Sequence, residues 1–305
     1  MGGGAGGRSG ALTNDADGIR HAFIISAYKL PRNLARLVAA LRTDATAILI
    51  GVDAQTDRRM FETMRREVGD WPNVRFLPRH RSKYRSFGHV RFTLKGVATL
   101  EAEGIAYDFL SLLTGQDYPI KPNSVIASYL AARQGHSFLK HIAMPNPDWR
   151  LGGMDRLERA HFYVGARSFA VPRRNHWPVG PRVLPYGLAP WSGSGYWTMC
   201  GEHARYVHRF VQSHPDLVTF FRRVDIPDEI FFQTILANSP FRDQLVDDDL
   251  RFIDWSRDNE WPAVLTTEDL PALQGSPKLF ARKFDATRDA EVLDAIDEQL
   301  REAPR

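Results

Sequence analysis

Apolar residues fall in short unbroken runs, and between these runs they recur every three to four positions. Ala22-Phe23-Ile24-Ile25 is the first run, and a continuous apolar stretch of that length predicts a strand buried on both faces. Leu34, Leu37, Val38 and Leu41 follow at helical spacing, and with Pro31 in the first turn they predict a helix over Pro31–Arg42. Ala45–Asp53 predicts a second strand that ends on an acid, and helix Asp57–Val68, strand Val74–Leu77, helix His89–Glu103 and strand Tyr107–Leu113 continue the alternation. That order predicts an α/β fold with a Rossmann-like, mostly parallel central sheet, right-handed crossovers and helices on both faces.

Beyond Gln134 the alternation weakens. A strand is expected over His136–Ile142, a loop over Pro145–Gly153, and an irregular stretch rich in Pro, Gly, Arg and His over Arg173–Pro190; so long a loop is more often functional than idle. A Tyr196–Met199 strand, a Glu202–Ser213 helix, an Asp228–Asn238 helix, an Arg251–Trp255 strand and a closing Asp289–Arg301 helix complete the pattern. The expected organisation is a flexible Gly-rich tail over 1–18 and a single domain over 19–305, with a nucleotide-binding half at about 19–133 and an acceptor and catalytic half at about 134–305.

Composition narrows the classes. The 305 residues are 43% hydrophobic, enough to bury a sizeable core, which excludes bulk disorder. No apolar run approaches the ~20 residues of a membrane-spanning helix. The single cysteine, Cys200, forms no internal disulfide and points to a reducing compartment; the bland reading of it is a small buried hydrophobe. Forty basic residues against 36 acidic ones leave a net charge of +4, which leans toward anionic ligands without arguing for nucleic acid.

Ligands of open parallel sheets bind beyond the carboxyl ends of the strands, which here carry Lys29, Asp53, Arg79–Arg81 and Thr114–Asp117. The glycine patterns of dinucleotide and P-loop sites are missing. Four constellations remain. Pro227-Asp228-Glu229 opens a predicted helix, where a first-turn carboxylate is eased into its ionised form as a general base needs, although both acids could simply cap the helix. Arg251 and Lys283 sit among aromatic anchors and could hold a diphosphate, or lie on solvated edges. The basic stretch Arg79–His89 leads from a strand into a helix and suits phosphate, with a nucleic-acid backbone as its rival. Trp191–Trp197 is a turn into a strand or an amphipathic wall for sugars. No cysteine and histidine set has zinc spacing, and Asp247–Asp249 reads as a solvated turn rather than a metal site.

These segments, in order from His21 to Asp285, resemble glycosyltransferase family 14, the core-2/I-branching N-acetylglucosaminyltransferases and peptide O-xylosyltransferases. Gln116-Asp117-Tyr118-Pro119-Ile120-Lys121, Pro227-Asp228-Glu229 and Phe280-Ala281-Arg282-Lys283-Phe284-Asp285 carry the resemblance most specifically. It implies a GT-A fold and an inverting transfer from a UDP-sugar, with GlcNAc or xylose first among the sugars, to a hydroxyl of a carbohydrate or another acceptor. It implies Glu229 as the catalytic base and Arg251 with Lys283 as the diphosphate clamp, with no metal and no other cofactor. Uridine and ribose contacts are expected from Asp53, Tyr84, Ser86, Phe87, Gly88 and Asp117, and acceptor contacts from Tyr196, Trp197, Arg156 and Arg159. Animal members carry a membrane anchor and disulfides, and this chain has neither; a bacterial, cytoplasmic enzyme with no nucleic-acid partner and no transmembrane segment is the expectation.

Overall fold

The computed structural model describes residues 18–164, 167–171, 181–257 and 261–302. The Gly-rich tail over 1–17 and residues 172–180 of the irregular stretch lie outside the described residues. The first half alternates as the apolar pattern predicts: β1 (His21–Ala27), α1 (Pro31–Leu41), β2 (Thr46–Val52), α2 (Arg58–Val68), β3 (Val74–Phe76), α3 (Gly88–Ala102) and β4 (Phe109–Thr114). Next come β5 (Asp117–Pro119), α4 (Asn123–Ala131), β6 (Ser137–Leu139), β7 (Ile142–Ala143), α5 (Asp155–Glu158) and a hairpin of β8 (Ala160–Val164) with β9 (Arg167–Val171). The remainder holds β10 (Trp191–Ser192), β11 (Trp197–Cys200), α6 (Gly201–Ser213), α7 (Pro215–Phe221), α8 (Phe231–Ala237), β12 (Leu245–Val246), β13 (Arg251–Ile253), α9 (Leu270–Gly275), β14 (Phe280–Arg282) and α10 (Glu291–Glu302).

Seven strands form the central sheet in the order β12-β6-β11-β4-β1-β2-β3. All neighbours pair in parallel except β11, which runs against both β4 and β6. The alternation of side chains along each strand divides the core in two. Phe23 and Ile25 of β1, Ile48, Ile50 and Val52 of β2, and Phe109 and Leu113 of β4 face α1, α2, α4 and α10. Ala22, Ile24, Leu49, Leu110 and Leu112 face α3, α6, α7 and α8. Both faces are apolar because both are covered, which is why these strands read as unbroken runs.

Three expectations change. The His136–Ile142 run divides into β6, in the central sheet, and β7, which pairs with β10 instead. The strand at Arg251 is three residues long and joins a separate sheet in the order β13-β14-β5. The helix expected over Asp228–Asn238 begins only at Phe231, because Pro227–Glu229 forms a 3-10 turn that breaks at Ile230.

Candidate active site

In the order β4-β1-β2-β3 the chain leaves β1 toward β2 on one side and returns to β4 on the other. This is a topological switch point, where the crossovers diverge and leave a crevice at the strand ends. A cavity of about 620 Å³ opens there. Tyr28 and Lys29 after β1, Thr114–Gln116 after β4, the turn at Asp228 and Glu229, and the cations Arg251, Arg282 and Lys283 all line it.

The acidic turn is fastened from three directions. Ile226 is held at φ 47, a strained value for a β-branched residue, and its N–H donates to the Arg85 carbonyl at 3.0 Å. Arg156, in α5, donates to the carbonyls of Asp225 (3.2 Å) and Ile226 (2.9 Å) and to Glu229 Oε2 (3.0 Å). The buried Asp225 carboxylate accepts from the Arg85 guanidinium and from the Tyr163 hydroxyl of β8. Burial alone would raise the Asp225 carboxyl, but these hydrogen bonds and the charge of Arg85 outweigh it and hold Asp225 below the usual carboxylate range. At Glu229 the balance goes the other way: burial pushes its carboxyl up against the opposing pull of Arg156, and neighbouring Asp228 adds to the rise. The expected easing of Glu229 by a helix dipole is therefore corrected, since Glu229 precedes α8 and desolvation is the larger influence.

On the cation side, Arg251 is buried at 3% exposure. Its guanidinium donates to the carbonyls of Asp249, Leu112 and Trp197, and its Nε has no partner among the described residues. Burial lowers its affinity for the proton, against the opposing charges of Asp117 and Asp249. Arg282, which the sequence reading passes over for its neighbour, lies over the Tyr196 ring at 4.3 Å and donates to the fully buried Asp117 carboxylate at 2.8 Å. Asp117 also accepts from the Thr114 N–H at 2.7 Å. It is a support beneath the wall rather than part of the wall. Burial pushes the Tyr196 hydroxyl up to about 12 despite Arg282 beside it. Lys283 lines the same cavity.

Aromatic rings ring the mouth. Tyr28, Tyr84, Trp255 and Trp261 are exposed and line the cavity, and the Tyr84 and Trp261 rings lie 5.6 Å apart. Trp255 and Trp261 are absent from the sequence-based candidates; the signal that could have found them is two tryptophans just after a cation-bearing strand, in a loop too polar to bury them.

Of the residues expected to act on or contact substrate, Glu229, Arg251, Lys283, Tyr84 and Tyr196 meet at this cavity, joined by Lys29, Asp228 and, from the basic stretch, Arg85 and His89, whereas Asp53, Ser86, Phe87, Gly88, Asp117, Trp197, Arg156 and Arg159 do not line it. Asp53 turns its carboxylate onto the N–H groups of Gln55 and Ser82. The Ser86 hydroxyl donates to the Lys83 carbonyl, Phe87 is buried edge-on against Phe231, and Gly88 begins α3 so close to the Ser82 backbone that a Cβ would lie 2.6 Å from its Cα. Trp197 is corrected most sharply: it is fully buried against Phe232, whereas Tyr196 faces the cavity. Arg156 grips Glu229 from outside the cavity lining, and Arg159 stands at the end of α5 with its carbonyl on Arg182. Asp247 accepts from the His141 N–H, Asp248 pairs with Lys278, and Asp249 is buried under Arg251 rather than solvated. Among the described residues no group of three or more His, Cys, Asp or Glu converges as a metal site.

The profile of the Core-2/I-Branching enzyme family matches residues 21–274. Xylosyltransferase 2 of Canis lupus familiaris is 28% identical over 313 residues, which covers 94% of this chain and 34% of that protein. Xylosyltransferase 1 of Mus musculus is 30% identical over 222 residues, 66% of this chain and 22% of that protein. The chain thus spans about a third of the length of xylosyltransferase 2. Among solved structures, mouse xyloside xylosyltransferase 1 in its apo form aligns with a TM-score of 0.39 and 12% identity over 86% of this chain and 96% of that one. With a match that runs from the first strand past the cation-bearing β13, and with the acidic turn and the cations gathered at one crevice, the chain belongs to the Core-2/I-branching enzyme family of glycosyltransferases.

Proposed function

We propose that this protein is a GT-A glycosyltransferase that moves a sugar from a UDP-sugar to an acceptor hydroxyl, with inversion and without a divalent metal. The observation that carries the reading is one cavity holding a carboxyl of raised proton affinity, Glu229, together with Arg251, Arg282 and Lys283. Glu229 takes the proton of the acceptor hydroxyl while that oxygen bonds to the anomeric carbon, and the bond to the diphosphate breaks on the opposite face. UDP leaves with the bonding electrons. Such displacements pass through an oxocarbenium-like transition state, and the charge growing on the leaving diphosphate is what fixed cations stabilise more than the ground state. Burial at Glu229 serves the same chemistry, since a base works best when its proton affinity lies near the working pH. The rings of Tyr84, Trp255 and Trp261 offer flat apolar faces to sugar or base. The xylosyltransferase relatives make UDP-xylose the first donor to try, with UDP-GlcNAc second.

Glu229→Gln keeps the shape and removes the base. It is expected to lower sugar transfer by about 10²–10⁴-fold while UDP binds as in the unmodified protein. Transfer at the unmodified rate in Glu229→Gln would end the base assignment; UDP binding with no turnover in either protein would favour a sugar-nucleotide binding module.

A further inference from the structure

Asp228 and Glu229 are consecutive carboxyls on one cavity wall, and a single arginine distinguishes them. Arg156 reaches Glu229 Oε2 at 3.0 Å, and its other hydrogen bonds go to main-chain carbonyls of the same turn. Asp228 has no such partner: among the described residues no arginine or lysine pairs with its carboxyl, and Arg156 acts on it only through its charge. Gly195 stands against it without a side chain, and a Cβ there would lie 3.2 Å from Asp228 Oδ2. Two adjacent carboxylates in one desolvated site repel, which raises the proton affinity of both. The cation beside Glu229 favours the ionised form there, so a proton taken up by the pair goes preferentially to Asp228.

We propose that Asp228 is a substrate-binding residue that works as a neutral acid, its carboxyl O–H donating a hydrogen bond to an oxygen of the bound sugar. This inference rests on the reading of Glu229 as the ionised base. It gives the two acids of the turn opposite tasks, one removing a proton and the other holding a sugar oxygen that offers lone pairs.

The groups facing Asp228 agree with that division. Burial pushes its carboxyl up; His89 of α3 and Arg156 of α5 pull it down, and Asp225 on its own turn pushes it up again, with the net displacement upward. Glu229 adjoins it, and the hydroxyls of Tyr84 and Tyr196, whose proton affinities are both raised by burial, face it as neutral groups.

Two measurements on the whole 305-residue chain test the assignment. The infrared difference between the unmodified protein and Asp228→Asn at pH 7 is expected to contain the C=O band of a protonated carboxyl; a difference made only of carboxylate bands overturns the proposal. With UDP release from UDP-xylose as the readout, Asp228→Ala is expected to lose about tenfold in kcat/KM, and Asp228→Asn, which keeps an N–H donor, to recover most of that loss. Asp228→Asn falling as far as Asp228→Ala or further also overturns it. Glu229→Gln, run beside them, separates the two readings: turnover in that variant removes the base assignment, and the infrared band still decides Asp228.

Discussion

His21 opens β1 and is buried, with Nε2 2.8 Å from the Ser111 hydroxyl, which is in turn 2.7 Å from that of Thr198. Burial, with the charge of Arg251 nearby, lowers the proton affinity of its imidazole to about 3, so the folded protein holds it neutral. The unfolded chain takes up a proton below about 6.5 that the folded one refuses. The stability associated with neutral His21 is therefore complete above that value and is lost as pH falls from there toward 3. Replacing His21 with Asn is expected to flatten the dependence of unfolding free energy on pH between 6.5 and 4.5 by about 1.4 kcal/mol per pH unit. Urea titrations of both proteins across that window check it, and coincident slopes would place the titration elsewhere. At this scale, too, the sequence misleads about Trp197. Neighbouring residues of an extended segment face opposite ways, so Tyr196 at the cavity requires Trp197 in the core, and no composition-based argument about aromatic walls separates the two.

The elements of the first half were legible because β1, β2 and β4 are buried on both sides and each helix on one; the edge strand β3 is only partly buried. What stayed hidden was what long-range pairing decides. The strand expected over Tyr196–Met199 forms over Trp197–Cys200, but nothing in four residues states that it inserts antiparallel between β4 and β6. Asp228 and Glu229 looked like the start of a long helix because Pro227 is a good first-turn residue; the break at Ile230 depends on the grip of Arg156 and Arg85 on the turn, and those residues come from distant segments. Glu229 nevertheless stood out by its motif and lines the cavity, while Arg282, which lines it too, was passed over because Lys283 beside it matched the family pattern. A sharper test of element packing lies at α3. A Cβ on Gly51 of β2 would fall 1.9 Å from Phe92 of α3, a ring that is itself 1% exposed. Gly51→Ala is expected to destabilise the fold by about 1–3 kcal/mol through overpacking, read from chemical denaturation. A loss below about 0.3 kcal/mol would mean that the ring moves aside.

For the whole molecule, the slight net charge of +4 conceals an uneven distribution: six lysine and arginine residues, Arg251, Arg282 and Lys283 among them, line one cavity against three acids. If those cations hold the diphosphate, calorimetric titration of UDP into EDTA-treated protein is expected to give the same affinity as titration with magnesium or manganese restored. Binding that returns only with the metal would overturn the metal-independent part of the proposal. The nucleic-acid rival belongs to this scale as well, since backbone binding weakens steeply with salt; a blank gel shift at low ionic strength disposes of it. No helix among the described residues is long and apolar enough to cross a membrane.

The acceptors of the Arg251 guanidinium are all main-chain carbonyls, from Asp249, Leu112 and Trp197, whereas Arg282 is matched to the Asp117 carboxylate. Dipoles orient a cation without cancelling it. Arg251 makes no ion pair through its guanidinium among the described residues, and although the charges of Asp249 and Asp117 offset it in part, the remainder is fixed in the frame between β4 and β11, where low-dielectric surroundings direct its field along the crevice. Its influence begins before any contact is made: it steers an approaching anion, so ionic strength should govern how fast a ligand arrives as well as how long it stays.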